Sequence, residues 1–484
     1  MAEKPPIEIG TNRQLLFDPL FLADSKGIEL KMNPPYQDAE PVLTLDRPWE
    51  VGRFGRYHTV MLEGDLFRMW YEVQTRADGR ARKLLCYAES TDGVHWEKPV
   101  LGIIPFNGCR ENNIVGPPSP NASQQGATVF RDDQGPAEER YKLWTKYMAS
   151  DEDREQGIAT GLWAMVSPDG LHWKLLQEEG YPIRRGTAAD AQHTCFWDED
   201  LDKYVGFVRV KKFPEGRQRT CSVGRLTSDD FRNWTMAKVV FAADAQDEAA
   251  PVPGGAPDWR PPVDFYVPGG MKVPGVALAY VLLPNAYYHW AENAFPSTLD
   301  VRLATSRDTV NWWQHPAREP FLRLGADGTR AAGMICANPW LIPVGDEIWL
   351  YYAGIGVDHH VVRAADRSPS AIFHARLRQD GFISVDAAYD GGEFTTPPVT
   401  FAGSHLELNL DGSAGGWLQV EILTPEGKPI RAHELAASDM LRGNSTAKIV
   451  TWAGEPDVSA LAGKPVRLRF VMRSMKLFAF QFVA

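Results

Sequence analysis

The chain has 484 residues, of which 44% are hydrophobic and 23% are charged, so it is long enough for several folded domains and is not intrinsically disordered. Its formal net charge of −11 argues against nucleic acid or an anionic membrane as a primary partner, because both require a concentrated basic surface. The 42 glycines, 36 prolines and 16 tryptophans predict many short strands joined by tight turns.

The N-terminal segment, residues 1–40, precedes any repeated unit. Its first ten residues, MAEKPPIEIG, lack the apolar core of a secretory signal, and we find no apolar stretch long enough to cross a bilayer. We therefore expect a cytoplasmic protein with no membrane partner, while a secreted origin stays open. The apolar residues at 14–22 predict that this segment packs on one of the β-domains that follow. The five cysteines form no Cys-x-x-Cys pair and are expected to be free thiols.

Three sequence patterns recur five times, in the same order, between residues 41 and 390. A strand rich in small apolar residues comes first, at 57–62, 126–130, 193–197, 264–267 and 334–337. A strand dense in aromatic residues follows, at 66–71, 141–145, 204–208, 276–281 and 348–352. A hairpin typified by Ser-x-Asp-Gly-x-x-Trp comes next, at 88–96, 166–173, 226–234, 304–312 and, with Phe replacing Trp, 375–382. Five repeated sheets predict a five-bladed β-propeller; a β-sandwich with chance similarity would not explain the fixed order.

Residues 391–484 follow a different pattern. Apolar and polar residues alternate at 406–410, 418–422, 466–471 and 477–482, which is the period of strands with one buried face. This pattern predicts an antiparallel β-sandwich. The expected fold is therefore all-β, with an N-terminal segment at 1–40, a five-bladed β-propeller at 41–390 and a C-terminal β-sandwich at 391–484.

This architecture, with Ser-x-Asp-Gly-x-x-Trp hairpins at 90–96 and 167–173, resembles the glycoside hydrolases of families 32, 43 and 68. The resemblance implies a carbohydrate substrate bound in the central funnel of the propeller. The chain lacks the Trp-Met-Asn-Asp-Pro-Asn-Gly, Arg-Asp-Pro and Glu-Cys blocks of the invertase branch, so no catalytic residue is transferred by motif. Because glycoside hydrolysis uses two carboxyl groups, we take candidates from acids near the starts of the predicted inner strands.

The three candidate catalytic carboxyls are Asp190, Asp264 and Glu50. In that order, they are expected to supply an acid, a base and a third carboxylate that tunes the pKa of the acid by like-charge repulsion. The residues expected to bind the substrate are Arg53, Tyr57, His58, Glu72, His193, Arg209 and Tyr266. Structural roles are the alternatives, such as a salt bridge from Glu50 to Arg53 or a turn cap at Asp190.

The sequence therefore predicts a glycoside hydrolase, for a furanoside or a short oligosaccharide, that requires no cofactor. A structural divalent cation in the central channel is compatible with the sequence, whereas His359 and His360 are expected in a solvated loop. One alternative is a glycoside phosphorylase or transglycosylase, in which Arg53, Arg56, Lys146 and Arg209 bind phosphate. The other is a non-catalytic carbohydrate-binding protein. The sequence indicates no oligomeric state.

Overall fold

The computed structural model describes residues 5–77, 80–119, 121–176, 191–212, 220–249, 262–289, 297–359 and 368–484, and these ranges are almost entirely β-structure. The N-terminal strands are β1 (Ile7–Gly10), β2 (Gln14–Leu15), β3 (Asp24–Lys26), β4 (Ile28–Met32) and β5 (Tyr36–Leu43). A 3₁₀ turn at Pro19–Phe21 is capped by Asp18, whose carboxylate accepts a hydrogen bond from the Leu20 N–H at 2.9 Å. No helix among the described residues is long and apolar enough to cross a membrane.

Three four-stranded antiparallel meanders follow. The first contains β6 (Arg53–Glu63), β7 (Leu66–Ala77), β8 (Arg80–Ser90) and β9 (Ile114–Gly116). The second contains β10 (Ser123–Arg131), β11 (Tyr141–Met148), β12 (Gly161–Ser167) and β13 (Lys174–Leu175). The third contains β14 (Thr194–Asp198), β15 (Lys203–Lys212), β16 (Thr220–Ser228) and β17 (Lys238–Phe241). Two short helices, α1 (Asp151–Glu155) and α2 (Ala245–Glu248), lie outside the sheets.

The fourth unit is a meander whose strands are interrupted. Its strands are β18 (Val263–Phe265), β19 (Gly270–Lys272), β20 (Tyr280–Leu282), β21 (Asn285–Tyr288), β22 (Leu299–Val301), β23 (Ala304–Ser306) and β24 (Trp312–Gln314). Strand β18 pairs with β21 and β21 with β22, while β19, β20, β23 and β24 form a second ladder. Pro268 and Pro284 lie between the two ladders, where a residue without an N–H ends the pairing.

The fifth unit contains β25 (Met334–Ala337), β26 (Ile342–Val344), β27 (Glu347–Ile355) and β28 (Ser370–Arg378). Strand β5 from the N-terminus pairs with β28, at the edge of this sheet. Consecutive sheets contact each other, and β25 and β27 of the fifth unit also contact β6 of the first. Asn338 joins these two ends, because its side-chain oxygen accepts a hydrogen bond from the Val60 N–H at 2.9 Å. The contacts between sheets thus form a closed ring.

The C-terminal strands are β29 (Ile383–Ala387), β30 (Gly392–Thr395), β31 (Val399–Phe401), β32 (His405–Asp411), β33 (Trp417–Leu423), β34 (Asn444–Ile449), β35 (Arg467–Arg473) and β36 (Met475–Val483). One sheet has the order β34-β32-β36-β29-β4, and the other has the order β3-β30-β35-β33. A 3₁₀ turn spans Ser459–Leu461. Along β35 the buried residues Leu468, Phe470 and Met472 alternate with partly exposed arginines and Val471, so one face lies in the core.

The N-terminal segment therefore joins both parts of the molecule: β1 to β4 pair with C-terminal strands, and β5 pairs with the fifth unit. The repeated hairpins are closed by local hydrogen bonds. In the first, the Asp92 carboxylate accepts from the Val94 and His95 N–H groups, both at 2.8 Å, and the Gly93 N–H donates to Ser90 Oγ at 2.9 Å. Phe231 and Thr309 replace this glycine in later copies and adopt φ of 63° and 64°.

Candidate functional site

The candidate site is a cluster of aromatic and charged side chains contributed by several sheets. At its centre is Tyr266, directly after β18. The guanidinium carbon of Arg209, on β15, lies 4.3 Å from the Tyr266 ring centroid, and that of Arg56, on β6, lies 6.0 Å from it. We call this group the Arg56–Tyr266–Arg209 stack. Arg56 also lies 5.8 Å from the Tyr57 ring centroid, so Tyr57 belongs to the same cluster.

The stack is an electropositive environment. Burial acts to raise the pKa of the Tyr266 phenol, but the charges of Arg209 and Arg56 outweigh it, so the pKa is lowered. Burial is also the main cause acting on Tyr57, and there the pKa is raised despite the neighbouring Arg56. The two phenols therefore differ, and Tyr266 is the one whose ionised form the surroundings favour.

Glu72, on β7, is a buried carboxyl beside this stack. Its Oε2 accepts a hydrogen bond from the Gly126 N–H at 2.8 Å. Burial raises the pKa of Glu72, and the charges of Lys83 and Arg56 only partly oppose that effect. A carboxyl with a raised pKa keeps its proton to higher pH, which is the property of a general acid.

Two glycines, Gly55 and Gly126, lie next to Glu72. A Cβ atom on Gly55 would collide with the Glu72 side chain, and Gly126 supplies the N–H group that holds the carboxylate. Gly126 has φ of 70°, a conformation that glycine adopts readily, and a Cβ there would meet the backbone of Ala191 at 2.5 Å. The backbone at both positions therefore approaches its neighbours too closely for a side chain.

We expect Gly55→Ala to destabilise the fold by about 1–3 kcal/mol, because the added methyl group overpacks the site against Glu72. The free energy of unfolding, measured in urea, checks this. Gly415→Ala is the matched control, since no atom lies within 4 Å of a Cβ there. Adding Glu72→Ala should recover most of the loss; a cost that persists in the double variant would contradict this origin.

Asp264, on β18, is the second buried carboxyl of the cluster. Its Oδ2 accepts a hydrogen bond from the Cys221 N–H at 3.0 Å, and its Oδ1 lies 3.3 Å from His289 Nε2. Tyr266, the centre of the stack, follows Asp264 by two residues in the chain. The Cys221 N–H thus fixes one oxygen of the Asp264 side chain, and His289 faces the other.

Aromatic residues extend the cluster from Asp264. The Tyr287 ring centroid lies 4.2 Å from that of His289 and 5.5 Å from that of Tyr266. His359 Nδ1 lies 3.3 Å from the Tyr287 hydroxyl oxygen, and only 6% of His359 is exposed. His359 is thus a buried member of the cluster, which corrects the expectation of a solvated loop; its neighbour His360 lies outside the described residues.

The two histidines expected to bind substrate are also buried. Burial lowers the pKa of His58 to about 3, so its imidazole is neutral at physiological pH. The His58 backbone oxygen accepts a hydrogen bond from the Gln192 side chain at 2.8 Å. His193 Nδ1 accepts a hydrogen bond from the Arg209 N–H at 3.3 Å, so His193 lies against the strand that carries Arg209.

Glu50 does not have the environment expected of the third catalytic carboxylate. Its Oε1 accepts a hydrogen bond from the Tyr71 hydroxyl at 2.6 Å, and its Oε2 accepts from Lys98 Nζ at 2.7 Å. Oε2 also accepts from the N–H groups of Asp46 and Arg47, at 2.9 and 3.0 Å. Glu50 therefore holds the segment before β6 in place. It does not pair with Arg53, which instead donates to Gln74 Oε1 at 2.8 and 3.1 Å.

Asp190 lies outside the described residues and stays a candidate from the sequence. The sequence-based candidates that the structure brings together are Tyr57, Glu72, Arg209, Asp264 and Tyr266. The sequence assigned no role to Lys83, whereas the aromatic run at 285–290, which contains Tyr287 and His289, has the character of a sugar-stacking wall. Within the described ranges, no group of three or more His, Cys, Asp or Glu side chains is arranged to hold a metal ion.

No family model matches the chain, and no curated protein matches it. Several solved structures that resemble it are named as glycoside hydrolases. A glycosyl hydrolase from Bacteroides ovatus has 15% identity and a TM-score of 0.44, over 76% of this chain and 93% of that one. Exo-inulinase from Aspergillus awamori has 11% identity and a TM-score of 0.42, over 92% and 99%.

A third similar structure has a different kind of activity in its name. It is an N-acetylgalactosamine deacetylase from F. plautii in complex with blood group B trisaccharide. Its identity is 18% and its TM-score is 0.44, over 73% of this chain and 96% of that one. At these values the similarities assign no substrate and no residue role to this chain.

Proposed function

We propose that the chain is a glycosidase built on a five-bladed β-propeller, with the C-terminal strands forming a β-sandwich. The five successive strand units and the closed ring of contacts between them support the blade count. The observation that carries the function is the placement of Glu72 and Asp264, two buried carboxyls in contrasting environments beside one aromatic and cationic stack.

The two carboxyls suit the two roles in glycosidic-bond cleavage. Glu72, with its raised pKa, is the proton donor to the leaving oxygen. Asp264, held by the Cys221 N–H and facing His289, is the partner that activates water or attacks the anomeric carbon. This scheme differs from the sequence-based expectation, in which Asp190 supplies the acid and Glu72 binds substrate: Glu72 takes the role of acid here, and Asp190 stays an additional candidate. Neither role requires a cofactor.

The aromatic residues of the cluster suit a sugar ligand. Tyr266 and Tyr287 are large, nearly buried rings held at 84° to each other, and they form a wall next to Asp264. Aromatic faces pack against the apolar faces of sugar rings, while His193 and Arg209 are suitable partners for hydroxyl groups. We propose a furanoside or a short oligosaccharide as substrate.

We expect Glu72→Gln to lower kcat/KM by about 10²- to 10⁴-fold for glycosides with alkyl leaving groups, because the leaving oxygen must be protonated. Aryl glycosides with acidic phenols need little protonation and should lose far less. The activity of the unsubstituted protein should fall as pH rises through the raised pKa of Glu72, and that limb should be missing in the variant. A panel of pentofuranosides, fructosides and other glycosides, assayed across pH, measures both effects.

Glu89→Gln is the matched control, since Glu89 lies on the neighbouring strand β8 and bonds to the Tyr87 hydroxyl at 3.1 Å. Its kinetics should match those of the unsubstituted protein. Equal losses for good and poor leaving groups in Glu72→Gln would argue against a proton-donor role. No cleavage of any glycoside by the unsubstituted protein would favour a carbohydrate-binding protein.

A further inference from the structure

Basic side chains of the first two sheets lie near Glu72 and the Arg56–Tyr266–Arg209 stack. Lys83, on β8, donates a hydrogen bond to Gln125 Oε1 at 2.7 Å. Gln125 pairs across β10 and β11 with Lys146. Arg56 contributes a third cation from β6, beside the Tyr266 ring. We call Arg56, Lys83 and Lys146 the basic group.

These cations are close enough to disfavour each other's charge. Burial lowers the pKa of Lys83 to about 8, and the charges of Arg56 and Lys146 act in the same direction while Glu72 opposes them. Burial also lowers the pKa of Lys146, with a further contribution from the charge of Arg209. Holding like charges together in a partly desolvated site is unfavourable unless an anion compensates them.

Glu72 is the carboxylate near both Arg56 and Lys83 among the residues that the structure describes. Its Oε2 already accepts a hydrogen bond from the Gly126 N–H. The Nη1 atom of Arg56 is buried and has no hydrogen-bond partner among the described residues. Buried guanidinium groups in proteins are normally hydrogen-bonded, so an unused donor here indicates a place for an acceptor from a ligand.

Arg56 is also held in an unusual backbone conformation. Its φ is 81°, in the region that residues with side chains rarely adopt, and the register between β6 and β7 shifts between Phe54 and His58. Such a bulge redirects a side chain relative to a regular strand. The backbone at this point therefore sets the direction of the Arg56 side chain, whose guanidinium lies beside the Tyr266 ring.

We propose that Arg56, Lys83 and Lys146 bind an anionic group of the ligand, a phosphate or a carboxylate, beside Glu72. This inference rests on the proposed function for its position next to the reacting bond. Arginine and lysine together suit such groups, because the guanidinium binds two oxygens at once and the ammonium binds as a point charge.

The anion has two chemical sources. If it is inorganic phosphate, an oxygen of hydrogen phosphate bonds to the anomeric carbon as the glycosidic C–O bond breaks. The leaving oxygen takes the proton of Glu72, and the proton of the hydrogen phosphate restores that carboxyl. If it is a carboxylate, it belongs to a uronic sugar, and water completes the cleavage with the basic group unchanged.

Titration calorimetry of the full chain at low ionic strength, with inorganic phosphate and separately with free glucuronate, tests the proposal. We expect at least one anion to bind, and its Kd to rise tenfold or more in Arg56→Gln and Lys146→Gln. Arg225→Gln is the matched control, because Arg225 is half-buried on β16 and bonds to Thr309 instead. Thermal melting checks whether each variant is folded. If Arg56→Gln or Lys146→Gln does not fold, Lys83→Gln is used in its place. Binding of neither anion, or equal binding by all variants, overturns the proposal.

Kinetics then separates the two sources. Turnover that needs added phosphate and yields a sugar phosphate identifies phosphate as a co-substrate. Phosphate-independent cleavage that prefers uronosides, with the preference lost in Arg56→Gln, identifies a substrate carboxylate. Anion binding without cleavage of any glycoside would leave the anion site standing and reject the proposed function. If the protein cleaves neutral glycosides, and neither the anions nor the substitutions change that activity, the proposed function stands and the anion site is rejected.

Discussion

Asp264→Asn is expected to lower turnover by about 10²- to 10⁴-fold for every glycoside that the protein cleaves, whatever its leaving group. Asparagine has the same size as aspartate, and its side-chain oxygen can still accept the hydrogen bond from the Cys221 N–H. It cannot take a proton from water or attack the anomeric carbon. The fold should therefore persist while the chemistry is lost.

The dependence on leaving group distinguishes Asp264 from Glu72. Loss of the proton donor spares substrates with acidic phenols, whereas loss of the base or nucleophile does not. Kinetics with a series of aryl and alkyl glycosides, together with thermal melting, makes the comparison. Asp153→Asn is a suitable control, since Asp153 is also buried but bonds to Tyr147 and Ser150 at helix α1. Near-normal turnover by Asp264→Asn would reject its proposed role.

Glu50→Ala is expected to destabilise the protein by about 3–5 kcal/mol and to leave the chemistry of the folded protein intact. The Glu50 side chain is fully buried and that of Lys98 is 4% exposed, with Nζ and Oε2 2.7 Å apart. Removing the carboxylate leaves the ammonium buried, with the exposed Asp46 as its remaining anionic partner among the described residues, and it leaves two N–H groups without their acceptor. Unfolding in urea measures the loss.

A double variant tests the cause of this loss. Glu50→Gln combined with Lys98→Met removes both charges and should recover part of the stability lost in either single variant. Kinetics on the folded fraction of Glu50→Ala should match the unsubstituted protein. A stable variant with greatly reduced turnover would instead restore Glu50 as a catalytic candidate.

The environments of Glu50 and Glu72 could not be predicted from the sequence. Both are acids close to aromatic residues at the start or end of predicted strands, and the sequence favoured Glu50 as the catalytic candidate and gave Glu72 to substrate binding. Their roles depend on distant partners: Lys98 and Tyr71 satisfy Glu50, while Gly126 and Lys83 surround Glu72. These partners are brought together by the pairing and packing of strands, which a single sequence does not specify.

The N-terminal segment shows the same limit in the fold. Its apolar residues predict that it packs on a β-domain, but β5 and β28 are more than 300 residues apart in the chain when they pair. The predicted domain boundary near residue 391 has the same limit. Strand β29, at Ile383–Ala387, lies before that boundary but pairs with β36 of the C-terminal sheets. Such pairings are decided by long-range contacts.

The sequence by itself determined the features that depend on neighbours along the chain. The hairpins could be predicted because Ser90, Asp92 and Gly93 form hydrogen bonds with residues at most three positions away. The C-terminal strands could be predicted because apolar and polar residues alternate along a strand that has one buried face. The tertiary structure alone decided the environment of each carboxyl, because the groups around Glu72, Asp264 and Glu50 come from different sheets and loops.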